Sequence, residues 1–227
     1  PGEFSDITLK ITGTGVTTIT DLQSGGNEAL GGITNHTLQI DSGATMEVGD
    51  AADDGDSAKW DGAMEGSGTL RVHHDLFTLR GPSKTFDGDI EISSTGRLRT
   101  DAELPNVNTI QITGRSSLEI LADDSLGTDT TVDLAGSGDT LKFLNRLSGP
   151  LRINSLNAGS GSEIDLRFDS DEQGESSDLS IGNNNGDSTI SGLITGGGTL
   201  FINGTGVTAL NTAPDFDSGD GGLVIND

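Results

Sequence analysis

Apolar residues in this chain recur in alternating sets: Ile7-Leu9-Ile11, Leu38-Ile40, Leu70-Val72, Ile90-Ile92, Ile110-Ile112, Val132-Leu134, Leu141-Phe143, Leu151-Ile153, Ile164-Leu166-Phe168, Leu200-Ile202 and Leu223-Ile225. A period of two puts one face of a strand into a core and the other into water, and helical spacing is almost nowhere sustained. Gly, Ser, Asn, Asp and Thr bound each set, and these are turn formers for separate backbone reasons. The chain is expected to be all-β.

The spacing of the sets separates a sandwich from a solenoid. From Leu70 through Ile90, Ile110, Val132, Leu151, Leu179, Leu200 and Leu223 the intervals are 20, 20, 22, 19, 28, 21 and 23 residues. A near-constant period of this size belongs to a stacking repeat. A shorter echo lies within it: Leu38-Ile40 is followed by Met46-Val48, Ile90-Ile92 by Leu98, and Ile110-Ile112 by Leu118-Ile120. Two or three short strands per period predict one coil of a parallel β-helix, right-handed as parallel crossovers generally are, with coils of about 20 residues.

Composition agrees with that shape. Hydrophobic residues make up only 31% of 227, with one Trp, no Tyr and 35 Gly. A β-helix interior a few side chains wide needs Leu, Ile and Val rather than large aromatics. The charge narrows the partners: 12 Lys+Arg against 36 Asp+Glu leave −24. Phosphate backbones and anionic lipid would be repelled, which excludes a nucleic-acid binder. No apolar run is long enough for a membrane span, so insertion of this segment is not expected. With no Cys, thiolate zinc and iron–sulfur centres are excluded. Pro1-Gly2-Glu3-Phe4 reads as a cloning scar, and a single β-helix segment is expected over residues 5–227, with an acidic loop inserted at about 50–66.

Two segments share a longer template. Gly66-Ser-Gly68-Thr69-Leu70-Arg-Val72 runs on to Phe86-Asp-Gly88-Asp-Ile90-Glu-Ile92 and Gly96-Arg-Leu98, and Gly196-Gly-Gly198-Thr199-Leu200-Phe-Ile202 runs on to Phe216-Asp-Ser-Gly219 and Gly222-Leu223-Val-Ile225. This template resembles the autotransporter-associated β-strand repeat. The resemblance implies a segment of a secreted bacterial autotransporter passenger, displayed at the cell surface as a β-helix and serving as an adhesin or a rigid stalk. Its implied partners are a glycan or protein of a host or neighbouring cell, or another copy of itself.

Candidate sites are few. The inserted loop carries Asp53, Asp54, Asp56 and Asp61, oxygen ligands of the kind calcium takes, without the ligand order of an EF-hand. The simpler reading is a solvated acidic loop. Trp60, in the same loop, is the candidate ligand-binding residue, because an exposed indole stacks on a sugar ring; the simpler reading has it packing against the rod. Acidic residues within strands, such as Glu91, Glu119, Asp133, Glu163 and Asp165, alternate with apolar neighbours and are expected to point outward, without singling out a catalytic pair. Arg97, Arg99, Arg115 and Arg167 read as scattered. Adjacent His73 and His74 point to opposite faces of a strand and cannot share a metal. No catalytic residue and no required cofactor is therefore expected. An adhesin or stalk is the leading function; a polysaccharide-degrading β-helix enzyme and a ligand-free structural rod are the alternatives.

Overall fold

The computed structural model describes residues 7–20, 22, 36–49, 57–73, 75–81, 83, 85–123, 125–145, 147–168, 176–216 and 221–226. The first four residues, expected to lie outside the fold, are not among them. Short alternating segments leave no room for more than a few residues per strand, and strands of two to six residues are what forms. They follow one another around the solenoid axis. First come β1 (Ile7–Ile11) and β2 (Val16–Ile19), then β3 (His36–Ile40), β4 (Thr45–Val48) and β5 (Ser57–Trp60). The next turns hold β6 (Ala63–Gly66), β7 (Thr69–Val72) and β8 (Leu76–Leu79), then β9 (Thr85–Phe86), β10 (Asp89–Ile92) and β11 (Arg97–Thr100). Two turns have only two strands each, β12 (Thr109–Ile112) with β13 (Ser117–Ile120), and β14 (Thr131–Leu134) with β15 (Thr140–Phe143). Three-strand turns resume with β16 (Leu151–Arg152), β17 (Ser155–Ala158) and β18 (Glu163–Phe168), then β19 (Leu179–Ile181), β20 (Ser188–Ile190) and β21 (Leu193–Gly196). β22 (Thr199–Ile202), β23 (Thr208–Leu210), β24 (Asp215–Phe216) and β25 (Gly222–Ile225) complete the chain.

Every strand-to-strand pairing is parallel, which makes this a β-solenoid with no helix among the described residues. Nine strands form one face, in the order β2-β4-β7-β10-β12-β14-β17-β20-β23, and eight form the second, β24-β21-β18-β15-β13-β11-β8-β5. The third face is split into two four-stranded sheets, β1-β3-β6-β9 and β16-β19-β22-β25. Between them, residues 101–108, 121–123 and 125–130 cross the third face without strand pairing. Their Leu104, Val107 and Leu126 still reach the core.

Turns lie about 23 residues apart, longer than the expected 20 because the spacing varies. It is 20 from Arg71 to Glu91 but 32 from Asn157 to Thr189. The core is a set of like-on-like columns. Met46, Leu70, Ile90, Ile110 and Val132 are in register on successive strands of the first face and all are fully buried.

The apparent sequence period hides a change of face. Leu70, Ile90, Ile110 and Val132 lie in the nine-stranded sheet, whereas Leu151, Leu179, Leu200 and Leu223 lie in the third-face sheet. The true partner of Val132 in the next turn is Leu156. Interval-counting could not see this, because alternating apolar residues look the same on any face. The two copies of the template are displaced in the same way: Thr69-Leu70 opens β7 on the first face, Thr199-Leu200 opens β22 on the third. Within each copy the geometry is nonetheless equivalent. Gly66 and Gly196 take φ of 96° and 100°, a left-handed conformation that L side chains rarely adopt. A methyl on Gly68 would strike the carbonyl oxygens of Asp41 and Ala44, and one on Gly198 that of Ser177. The Gly-x-Gly-Thr-Leu template is thus a tight corner followed by a strand, usable at more than one corner of the solenoid.

The expected loop at 50–66 is shorter than its composition suggests. Residues 57–60 and 63–66 are β5 and β6, paired with β8 and with β3 and β9. Their inward residues are Ala58, Trp60 and Met64, which a search for Leu, Ile and Val passes over.

Candidate functional site

Trp60 is the inward residue at the end of β5. Its side chain belongs to the core, 5% exposed, and its indole Nε1 donates to the Ala63 carbonyl at 3.1 Å. The neighbouring ring is His36, centroids 6.4 Å apart and tilted. The flat indole faces that would stack on a sugar are therefore used in packing, and Trp60 is corrected from a surface candidate to a core residue. Asp61 sits at the corner after β5 and is bridged to Lys59 at 2.7 Å. Asp53, Asp54 and Asp56 lie outside the described residues. Among the described residues no group of three or more His, Asp or Glu side chains gathers as cation ligands.

The outward strand residues form rows, because parallel in-register pairing sets equivalent positions side by side. On the first face Glu47, Arg71 and Glu91 are consecutive rungs. Arg71 Nε donates to Glu91 at 2.7 Å and Nη1 to Glu47 at 3.4 Å. The bond to Glu91 pushes the guanidinium pKa of Arg71 up, with burial working against it. Further along the row stand Gln111, Asp133 and Asn157. Burial, and secondarily the charge of Asp139, raise the pKa of Asp133. Asp139 itself is fully buried and accepts backbone N–H groups of Arg115, Ser116 and Gly136, so it pins a corner.

On the second face the row is Arg99, Glu119, Lys142 and Asp165. Glu119 points away from the core, as alternation requires, yet is only 3% exposed. Arg97 and Arg99 cover it, at 2.9 and 2.8 Å. These arginines are not scattered. The signal was in the sequence as a spacing: Arg71 to Glu91 and Arg99 to Glu119 are each 20 residues, one local turn.

The third face differs. Its C-terminal sheet carries the outward row Arg152, Ser180, Phe201 and Val224. Beyond the strand ends runs a chain of amides: Asn226 Nδ2 donates to Asn203 Oδ1 at 2.7 Å, Asn203 Nδ2 to Ser180 Oγ at 2.5 Å, and Asn183 Nδ2 to the Ile153 carbonyl at 3.0 Å. A cavity of about 340 Å³ is lined by Arg152, Ser180 and Phe201 of this row and by these amides, together with Pro150. A second, of about 420 Å³, opens where residues 121–123 and 125–130 cross the face without a strand; Asp123, Leu126, Thr128, Ser148 and Gly149 line it. Pro150 and Arg152 line both. Arg152 is exposed and forms no ion pair with any described residue. Asp123 is occupied by the backbone N–H and hydroxyl of Ser148. Sequence reading missed this face because its polar residues, Asn, Ser and one Arg, resemble turn punctuation until stacking aligns them.

The chain matches no protein-family model, no curated protein and no solved structure.

Proposed function

We propose that this protein is a rigid, surface-displayed bacterial rod of the autotransporter-passenger type that acts in adhesion. The observation that carries the reading is how the carboxylates are used. Three strand carboxylates of the two long faces, Glu47, Glu91 and Glu119, are engaged by arginines of neighbouring turns, and Asp139 is consumed by backbone N–H groups. A site that hydrolyses glycosidic bonds by the two-carboxyl route needs two such groups poised across a cleft; ion-paired rungs instead lock turns together, as a stalk requires. The template shared by residues 66–98 and 196–225 supports the displayed-passenger part of the reading. A repetitive rod also offers many weak contacts that add through multivalency.

Beads coated with the purified chain should adhere to cells or glycan-coated surfaces above an albumin control, while soluble plant and bacterial polysaccharides incubated with it release no reducing ends or unsaturated products. Product release would replace the adhesin with the enzyme, and absence of adherence by the folded protein would leave a ligand-free rod.

A further inference from the structure

The most distinctive surface of the molecule is the C-terminal half of the third face. In a chain of net charge −24, most basic side chains are expected to be neutralised by neighbours, and Arg71, Arg97, Arg99 and Arg167 are. Arg152, like Arg80, Arg115 and Lys142, has no such partner among the described residues, and of these four it alone stands where two cavities of about 420 and 340 Å³ meet. Around it, the recognition groups are graded along one line. Phe201, half-buried on the outward row two rungs from Arg152, offers an apolar ring face. Asn203 and Asn226 offer amide donors and acceptors, and Asn226, exposed at the end of its hydrogen-bond chain, keeps an N–H and its carbonyl oxygen for a ligand.

A guanidinium that binds a carboxylate through two parallel bonds, amides matched to hydroxyls and an aromatic face matched to C–H groups are together the complement of one chemical object. That object is a sugar ring bearing a carboxylate. The overall negative charge sharpens the choice, because it repels polyanionic chains while a single carboxylate is compensated locally by Arg152. We propose that the two adjoining cavities form one groove that binds a carboxylated sugar at the end of a cell-surface glycan. Arg152 holds the carboxylate, Asn203 and Asn226 hold ring hydroxyls, and Phe201 supports the apolar face of a sugar. This rests on the adhesin reading for its biological setting, but its chemistry is separately testable.

The test titrates the full chain with sialyl-α2,3-lactose, with a glucuronic-acid-terminated disaccharide and with lactose, by NMR or calorimetry at low and at physiological salt. At least one acidic sugar should bind about ten- to hundredfold more tightly than lactose, and the preference should weaken with salt. Whether the sialyl or the glucuronyl arm binds identifies the source of the carboxylate. Arg152→Gln, an exposed change that should leave the β-rich circular dichroism intact, should abolish the preference, and Phe201→Ser should weaken binding of the acidic sugar. Arg80→Gln, an exposed arginine outside the cavity linings, should change nothing. Equal affinity for lactose and the acidic sugars, binding to none of them, or an unaltered preference in Arg152→Gln would overturn the proposal. So would equally tight binding of a tetrapeptide with a free C-terminus, which would make the groove a peptide-carboxylate site. If wild type and Arg152→Gln adhere to cells equally well, the groove fails and the adhesin stands; sugar binding without adherence has the opposite meaning.

Discussion

The turns from β7 to β15 and those from β16 to β25 are built by the same rule and finished differently. In the first group successive turns are short, the inward columns are fully buried, and the outward rungs pair opposite charges between turns. In the second the step from β17 to β20 widens to 32 residues, and the outward row of the third face is Arg152, Ser180, Phe201 and Val224, with amides beyond the strand ends. The last strand leaves Leu223, Val224 and Ile225 between 37 and 67% exposed. Paired rungs satisfy one another and have little left to offer a ligand; Arg152, without an ion pair among the described residues and lining one cavity with the amides, keeps its donors free. The contrast separates the part of the rod that holds itself together from the part equipped to meet a ligand.

The sharpest way to break the comparison is to put a carboxylate into each interior. Ile110→Asp introduces an unpartnered charge into a fully buried column and should cost about 4 kcal/mol or more, read as loss of cooperative melting. Leu223→Asp sits on the partly exposed last strand and should cost no more than about 1 kcal/mol by urea titration. Equal effects would mean that the two groups of turns do not differ in burial as described.

Next in size is Glu119→Gln. Alternation alone would rate it a harmless surface change, but it removes the carboxylate that Arg97 and Arg99 share. Since those arginines are 45 and 29% exposed at the side chain, the cost should be about 1–3 kcal/mol, below that of a fully buried pair. Chemical denaturation of the variant and of Glu163→Gln, whose carboxylate accepts only a threonine hydroxyl among the described residues, measures the difference.

Glycine changes probe the same contrast through the backbone. A methyl on Gly88 would meet the Gly68 carbonyl and the Phe86 ring, while one on Gly149, at the rim of the larger cavity, meets nothing within 4 Å. Gly88→Ala should therefore destabilise by about 1–3 kcal/mol, and Gly149→Ala should stay within about 0.5 kcal/mol of wild type or gain slightly. Thermal melts suffice.

The smallest effect concerns Asp133. Its pKa is raised in the folded protein, so the folded state holds the proton more tightly than the unfolded state does. The ionised side chain therefore works against folding at neutral pH, and that penalty fades as pH falls through the raised folded value toward the ordinary carboxylate range. Asp133→Asn should raise the melting temperature slightly at pH 7, with the gain shrinking in acid. A gain that grows in acid would reverse the sign.

Much of this was legible in the sequence, and the rest was lost for definite reasons. Alternation identified the strands and the near-20-residue spacing identified stacking, because both are local consequences of burying one side of a short strand. Face identity was not legible: Val132 and Leu151 satisfy the same pattern although they belong to different sheets. Trp60 was left between a sugar-stacking and a packing reading because its charged neighbours describe the outward side of β5 and not its own inward position; its burial matches the packing reading. The Glu119 cluster could have been read by applying the stacking period to charges as well as to apolar residues. The Arg152 groove could not, since it depends on where residues 121–123 and 125–130 fail to form a strand.

The central claim is that turns stack in register along one axis, so separation on one face must grow by a fixed increment per strand. With cysteines introduced at Glu47, Asp133 and Thr189 in a chain that has none, pulsed electron resonance between nitroxide labels measures this directly. The order β4-β7-β10-β12-β14-β17-β20 puts four steps between Glu47 and Asp133 and six between Glu47 and Thr189. At about 4.8 Å per step the backbone separations should be about 19 and 29 Å, in a ratio of two to three. Two similar distances, or a longer one for the Asp133 pair, would contradict the stack.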